Sequence, residues 1–145
     1  MGLSKYLTPD EITRVEAKIG AVEQLTSAEI RVALTRSSWM GIGNKAARLF
    51  RKYGLHQTDE RTGVLILVDV KNRELLIYGD EGINRRVEED FWDRIRDAMI
   101  VELREDRLAD ALITGVHQVG RQLSSLLPSR EENPDELSNA LLLER

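Results

Sequence analysis

Two acidic pairs stand out among the residues able to do chemistry. Asp59 and Glu60 close a polar loop, and Asp80 and Glu81 sit between Gly79 and Gly82. Hard cations such as Mg²⁺ and Ca²⁺ take several oxygen ligands converging from turns, and glycines beside carboxylates let backbone carbonyls join the set. The spacing therefore points to a divalent-cation site using Asp59, Asp80 and Glu81, provided both loops flank the same end of a sheet. The plain alternative is that these carboxylates are solvated turn residues, where acids are common. Glu88, Glu89 and Asp90 have a simpler reading still, since acids in a first helical turn offset the helix dipole.

Other chemistries lack their residues. The chain has no Cys, so disulfides, thiolate zinc sites and cysteine nucleophiles are excluded, and a reducing compartment is compatible. Its two histidines, His56 and His117, cannot build a histidine-rich metal centre. His56 is a candidate proton carrier or ligand in a loop, and His117 reads as structural. The phosphate-loop, dinucleotide and nucleophile-elbow signatures are absent. Lys45, Arg48, Arg51 and Lys52 form a basic face on a short helix, which reads first as a solvated helix face and second as a contact for phosphate or an acidic partner. A net charge of −4 and the lack of interleaved aromatics make a nucleic-acid partner the weaker reading.

The elements that must position these groups are legible around Val64–Val68, an aliphatic run that reads as a strand buried on both faces. Glu74–Tyr78 follows as its hairpin partner and ends in the acidic turn. Ahead of it, Thr8-Pro9-Asp10-Glu11 carries the capping and proline signals of a helix start, and Ile12, Val15, Ile19 and Val22 keep helical spacing. Glu29 to Thr35 alternates as a strand with one face better buried. Trp39 and Met40 lie in a glycine and serine loop and are either a lid folded over the core, the favoured reading, or an exposed contact, and Asn44 is the expected cap of a helix running to Tyr53. One helical turn is expected over residues 84–87. Two long helices follow, from Glu88 to Arg104 and from about Asp106 to Leu127, with Gly115 and Gly120 marking close approach to other elements. Residues 1–128 make one domain, and residues 129–145 make a polar linker with an apolar tail able to dock on the domain or on a protein partner. No run is long and apolar enough to span a bilayer, and the N-terminus lacks the pattern of a signal peptide, so a cytoplasmic protein is expected.

Four stretches, taken in order, resemble the TPM domain family of the thylakoid-lumen and Psb32-like proteins. They are Ser27-Ala28-Glu29-Ile30-Arg31-Val32, Ala47-Arg48-Leu49-Phe50-Arg51-Lys52-Tyr53-Gly54-Leu55, Thr62-Gly63-Val64-Leu65-Ile66-Leu67-Val68 and Tyr78-Gly79-Asp80-Glu81-Gly82-Ile83. The resemblance covers about Thr8 to Leu127. It implies an α/β/α sandwich, a small mixed sheet flanked by about four helices. The roles it suggests differ between members: acid phosphatase activity and photosystem repair in a plant protein, divalent-cation binding in bacterial relatives, and receptor modulation in an animal relative. This chain is most similar to the cytosolic bacterial subgroup. It departs from many relatives at Arg61-Thr62, where an oxygen-donor pair precedes the glycine, and that departure weakens any inherited Ca²⁺ or Mg²⁺ site. The leading expectation is a non-catalytic binding module, with a metal-assisted phosphomonoesterase and an anion contact through Lys45, Arg48 and Lys52 as alternatives.

Overall fold

A computed structural model describes residues 5–129 and 139–144. The elements in chain order are α1 (Pro9–Glu23), β1 (Glu29–Thr35), α2 (Ile42–Lys52), β2 (Gly63–Asp69), β3 (Glu74–Gly79), α3 (Glu81–Asn84), α4 (Phe91–Arg104), α5 (Leu108–Leu126) and β4 (Leu142–Glu144), with a short 3₁₀ turn at Leu55–Gln57. The sheet order is β3-β2-β1-β4. β1 runs parallel to both β2 and β4, and β2 runs antiparallel to β3, so the sheet is mixed.

Strand alternation sends residues to two separate cores. Ile30, Val32, Leu34, Val64, Ile66 and Val68 pack with α1, α4 and α5, while Ala33, Leu65, Leu67 and Leu142 pack with Ala46, Leu49 and Phe50 of α2. The result is the expected α/β/α sandwich, with five α-helices among the described residues because α3 adds a short fifth. Both faces of β2 are buried, as its unbroken aliphatic run requires. β1 is also buried along its whole length, because α2 covers the face that the alternation assigns to Arg31 and Ala33.

Several local expectations hold. Thr8 and Glu11 form a reciprocal capping box at α1, with Pro9 at its first turn. A side-chain carbon at Gly115 would stand 2.4 Å from Met99 Sδ, and one at Gly120 2.4 Å from Val22 Cγ1, so both glycines admit a neighbouring helix. Others need correction. α2 begins at Ile42 behind Gly41 (φ +94°), and Asn44, expected as the cap, instead donates from Nδ2 to Met40 O at 2.6 Å. The single helical turn expected over residues 84–87 lies earlier, over Glu81–Asn84, because Asp80 caps it. The expected linker lies largely outside the described residues, whereas Leu142–Glu144 of the tail adds the fourth strand.

Candidate functional site

The two acidic loops do meet. β1 and β2 start together at the Glu29 and Gly63 pair, and antiparallel β3 ends opposite Val64, which brings residues 58–61 and 80–84 to one end of the sheet. Gly82 N donates to Arg61 O at 2.9 Å. A side-chain carbon at Gly82 would lie 2.2 Å from Glu60 O and 2.5 Å from Arg61 O, so the approach requires glycine. Thr58 sets the loop by accepting Thr62 N at 2.9 Å through its hydroxyl. Asp80 N donates to Gly63 O at 3.0 Å, and Asp80 Oδ1 accepts Glu81 N at 2.8 Å at the start of α3.

A cation of the chain's own fills this corner. Arg61 donates from Nε to Asp80 Oδ2 at 2.9 Å and from a terminal nitrogen to Oδ1 at 3.2 Å, while its other terminal nitrogen lies 3.6 Å from Glu81 Oε1. The hydrogen bonds and charge of Asp80, with that of Glu81, raise the Arg61 pKa above its ordinary value. An open cleft of about 610 Å³ lies beside the pair, lined by Arg61, Tyr78, Asp80, Glu81, Asn84 and Trp92 among others. Its floor is built as carefully as its rim. Trp92 Nε1 donates to Asn84 Oδ1 at 2.7 Å, Asn84 Nδ2 donates to Gly79 O at 2.8 Å, and any side chain at Gly79 would strike the indole of Trp92 at 2.2 Å.

Of the expected metal ligands, Asp80 and Glu81 thus come together, on one guanidinium. Asp59 lies on the neighbouring loop, exposed, and does not line the cleft. Among the described residues no group of three His, Cys, Asp or Glu side chains is arranged to hold a metal ion. The carboxylate and carbonyl oxygens fit a hard cation by type, but with Arg61 in place Asp80 already has both oxygens engaged.

The opposite end of the sheet carries a constellation that the sequence reading missed. Asp69, fully buried at the end of β2, accepts Ser38 Oγ at 2.6 Å, Asn72 Nδ2 at 2.9 Å, Asn72 N at 3.0 Å and Lys71 N at 3.2 Å. Burial pushes its carboxyl up, but the bonds from Ser38, Asn72 and Lys71 together outweigh this and hold it below the usual carboxylate value. Asp69 thereby ties the loop after β1 to the β2–β3 turn. Asp69 stands at the end of an aliphatic run and its partner Ser38 lies far upstream, so only its polarity in an apolar strand could have flagged it.

That tied loop lifts Trp39 and Met40 away from the core. Trp39 is 88 % exposed and Met40 64 %, which overturns the lid reading. They border a cavity of about 460 Å³ together with Ser37, Asn44, Lys45 and Arg48. Burial and the charge of Arg48 lower the Lys45 pKa, with Glu144 and Asp69 acting in the opposite direction. Neither histidine lines this cavity or the acidic cleft. His117 is exposed on α5, and His56 is half-buried in the 3₁₀ turn.

Comparison with known proteins agrees with this architecture. The family model for the TPM domain matches residues 3–122. The solution structure of BA42 protein from the psychrophilic bacterium Bizionia argentinensis superposes with a TM-score of 0.91 at 32% identity, covering 97% of this chain and 97% of that one. The N-terminal domain of cg2496 protein from Corynebacterium glutamicum shares the fold, with a TM-score of 0.67 at 13% identity, over 97% of this chain and 83% of that one. No curated protein matches the sequence.

Proposed function

The chain belongs to the TPM domain family, and from that premise we propose that it is a non-catalytic binding module whose acidic cleft admits Ca²⁺ or Mg²⁺ in competition with its own Arg61. One observation carries the reading: two loops far apart in sequence converge so closely that Gly82 N bonds Arg61 O, with Asp80 and Glu81 facing the same guanidinium. An oxygen-rich corner closed by a half-exposed cationic side chain is a site that an external cation enters only by displacing that side chain. Arg61 is suited to leave, because its side chain is 46% exposed whereas that of Asp80 is 7% exposed. Weak, exchangeable binding follows from that competition. A hard divalent ion would supply charge to Asp80 and Glu81, and the chain's part is to hold those carboxylates through the α3 cap and the Gly79 to Asn84 bond.

A module of this kind works through a protein partner that reads the loop arrangement, in a cytoplasmic setting suited to a chain without Cys. Among the described residues no helix is long and apolar enough to cross a membrane. The phosphomonoesterase alternative would place the same cation beside a phosphoryl oxygen. The cleft residues that could take part are the carboxylates of Asp80 and Glu81 and the hydroxyl of Tyr78, and both Asp80 oxygens are already engaged by Arg61 and the α3 cap.

The test is a Ca²⁺ and Mg²⁺ titration followed by amide NMR, on the wild type and on Asp80→Asn. Saturable shifts centred on residues 59–62 and 79–84, abolished in the variant, are expected. An unperturbed cleft at millimolar cation would sink the proposal, and steady turnover of a phosphomonoester that disappears in Asp80→Asn would replace it with the enzyme.

A further inference from the structure

From the other end of the sheet we infer a second binding site, one that takes a nucleoside monophosphate, an anion joined to a flat apolar ring, between Trp39 and the Lys45–Arg48 face of α2. The location is the first reason. The cavity lies beyond the carboxyl ends of parallel β1 and β2, where open α/β sheets receive their ligands. Its volume of about 460 Å³ lies in the range of small-molecule pockets.

The lining supplies the chemistry. Its walls come from Trp39 and Met40, which carry an indole and a thioether, from Lys45 and Arg48, which carry an ammonium and a guanidinium, and from the polar residues Asn44 and Ser37. Aromatic faces stack on nucleobases of any type, and Lys with Arg recognise phosphate oxygens by charge and by fork geometry. A Trp normally buries most of its surface, so an indole left 88 % exposed beside a basic face is a surface that a ring would cover. This joins the aromatic missing from the basic helix to its cations, since Trp39 arrives from the preceding loop.

The loop is also set in advance. Ser38 is held by Asp69, Ser37 O accepts Thr35 Oγ1 at 3.0 Å, and Met40 O accepts Asn44 Nδ2 at 2.6 Å, so less ordering remains to be done when a ligand arrives. The nearby carboxylates are committed elsewhere. Asp69 receives Ser38, Asn72 and Lys71, and Glu144 receives Lys52 and Tyr53. The Lys52 ammonium offsets the charge of Glu144, whereas the neutral donors around Asp69 keep it ionised, so Lys45 and Arg48 must outweigh that one carboxylate. Burial and the charges of Arg48 and Lys52 disfavour the charged form of Lys45, and an anion placed there would act with Glu144 and Asp69 in the opposite direction.

The experiment is a titration at low salt with AMP, with adenosine, inorganic phosphate and a short oligoadenylate as separate arms, read from the Trp39 indole and the amides of residues 37–48. AMP should shift them saturably, with adenosine and phosphate each about tenfold weaker or more. Trp39→Ala and the Lys45→Ala/Arg48→Ala pair should each lose about tenfold, and Trp39→Phe should keep most of the affinity. Asp80→Asn should bind AMP as the wild type does, which separates this site from the acidic cleft. The side chains of Trp39, Lys45 and Arg48 are exposed or half-buried, and the rest of the spectrum reports that each variant is folded. AMP leaving the loop unperturbed, or phosphate alone binding as well as AMP, would overturn the inference. Tighter binding of oligoadenylate with shifts spreading to Arg51 and Lys52 would overturn it in favour of a strand-binding surface.

Discussion

Arg61 and Asp80, 19 residues apart, face each other as a two-pronged pair, with Nε 2.9 Å from Oδ2 and a terminal nitrogen 3.2 Å from Oδ1. The carboxylate is nearly buried and the guanidinium is half in solvent, so the pair is asymmetric: the anion is fixed and the cation is replaceable. Arg61→Ala should therefore bind Ca²⁺ and Mg²⁺ more tightly than the wild type, by about tenfold, roughly the effect of removing one competing charge at a partly exposed site. Arg61→Lys should fall between, because an ammonium cannot make the two-pronged contact. Calorimetric titration decides the matter, and equal affinities in all three proteins would mean that Arg61 does not guard the cleft.

The contact between the 58–61 loop and α3 depends on a missing side chain, which gives a comparison of two glycines. At Gly82 a methyl would meet backbone carbonyl oxygens at 2.2 and 2.5 Å, and backbone cannot step aside cheaply. At Gly115 it would meet Met99, whose sulfur lies 2.4 Å away on a flexible side chain, while alanine gains helix propensity. Urea unfolding should show Gly82→Ala losing about 2–3 kcal/mol and Gly115→Ala about 1 kcal/mol or less. The reverse order would show that the loop, rather than the helix pair, yields.

What the sequence disclosed divides along contact distance. The β2 run, the Thr8 capping box and the tight spots at Gly115 and Gly120 are written in local pattern, since a strand buried on both faces or a helix start needs only neighbouring residues to be recognised. Trp39 was misjudged because burial is the usual fate of an indole, and only the Ser38 bond to Asp69, 31 residues away, shows how its loop is held outward. Asn44 was misjudged as a cap because Gly41, with φ +94°, lets the chain turn into α2 earlier and frees the amide to bond Met40 O. Arg61 was visible as a departure from relatives, but its role as a resident cation needed the fold that places it on Asp80. The Leu142–Glu144 strand is too short for periodicity and shows itself only through its register with Ala33, Leu34 and Thr35.

Asp69 makes the stability pH-dependent in a direction that can be worked out. Its folded pKa is depressed, so the native state binds fewer protons than the unfolded chain in the acid range. The stabilisation is present above the unfolded carboxylate value, about 4, and is lost as pH falls through the lower folded value. Asp69→Asn removes that dependence and leaves an amide facing donors, which should cost about 1–3 kcal/mol at neutral pH. Urea midpoints measured from pH 7 down into the acid range should converge for the two proteins. Parallel curves would assign the acid sensitivity to another group.

Glu144 extends the same logic to the sheet edge. β4 is three residues long, and beyond its register with β1 it is anchored by the burial of Leu142 and by Glu144, whose carboxylate accepts Lys52 Nζ at 3.0 Å and the Tyr53 hydroxyl. Burial pushes the Glu144 pKa up, yet the bonds from Tyr53 and Lys52 outweigh it and hold the group below its ordinary value. Its contribution is thus present above the unfolded carboxylate value and disappears as pH falls through the folded one, so acid should release β4 before the central strands. Glu144→Gln should reproduce that release at neutral pH, seen as faster amide hydrogen exchange at Leu142–Glu144 while Val64–Val68 keeps its protection. The Tyr53 pKa, raised by burial and by the Glu144 hydrogen bond and charge, should fall back toward its ordinary value in the same variant. Unchanged exchange across β4 would mean that backbone pairing to Ala33–Thr35 alone holds the strand, and that the carboxylate serves the basic face of α2 instead of the sheet.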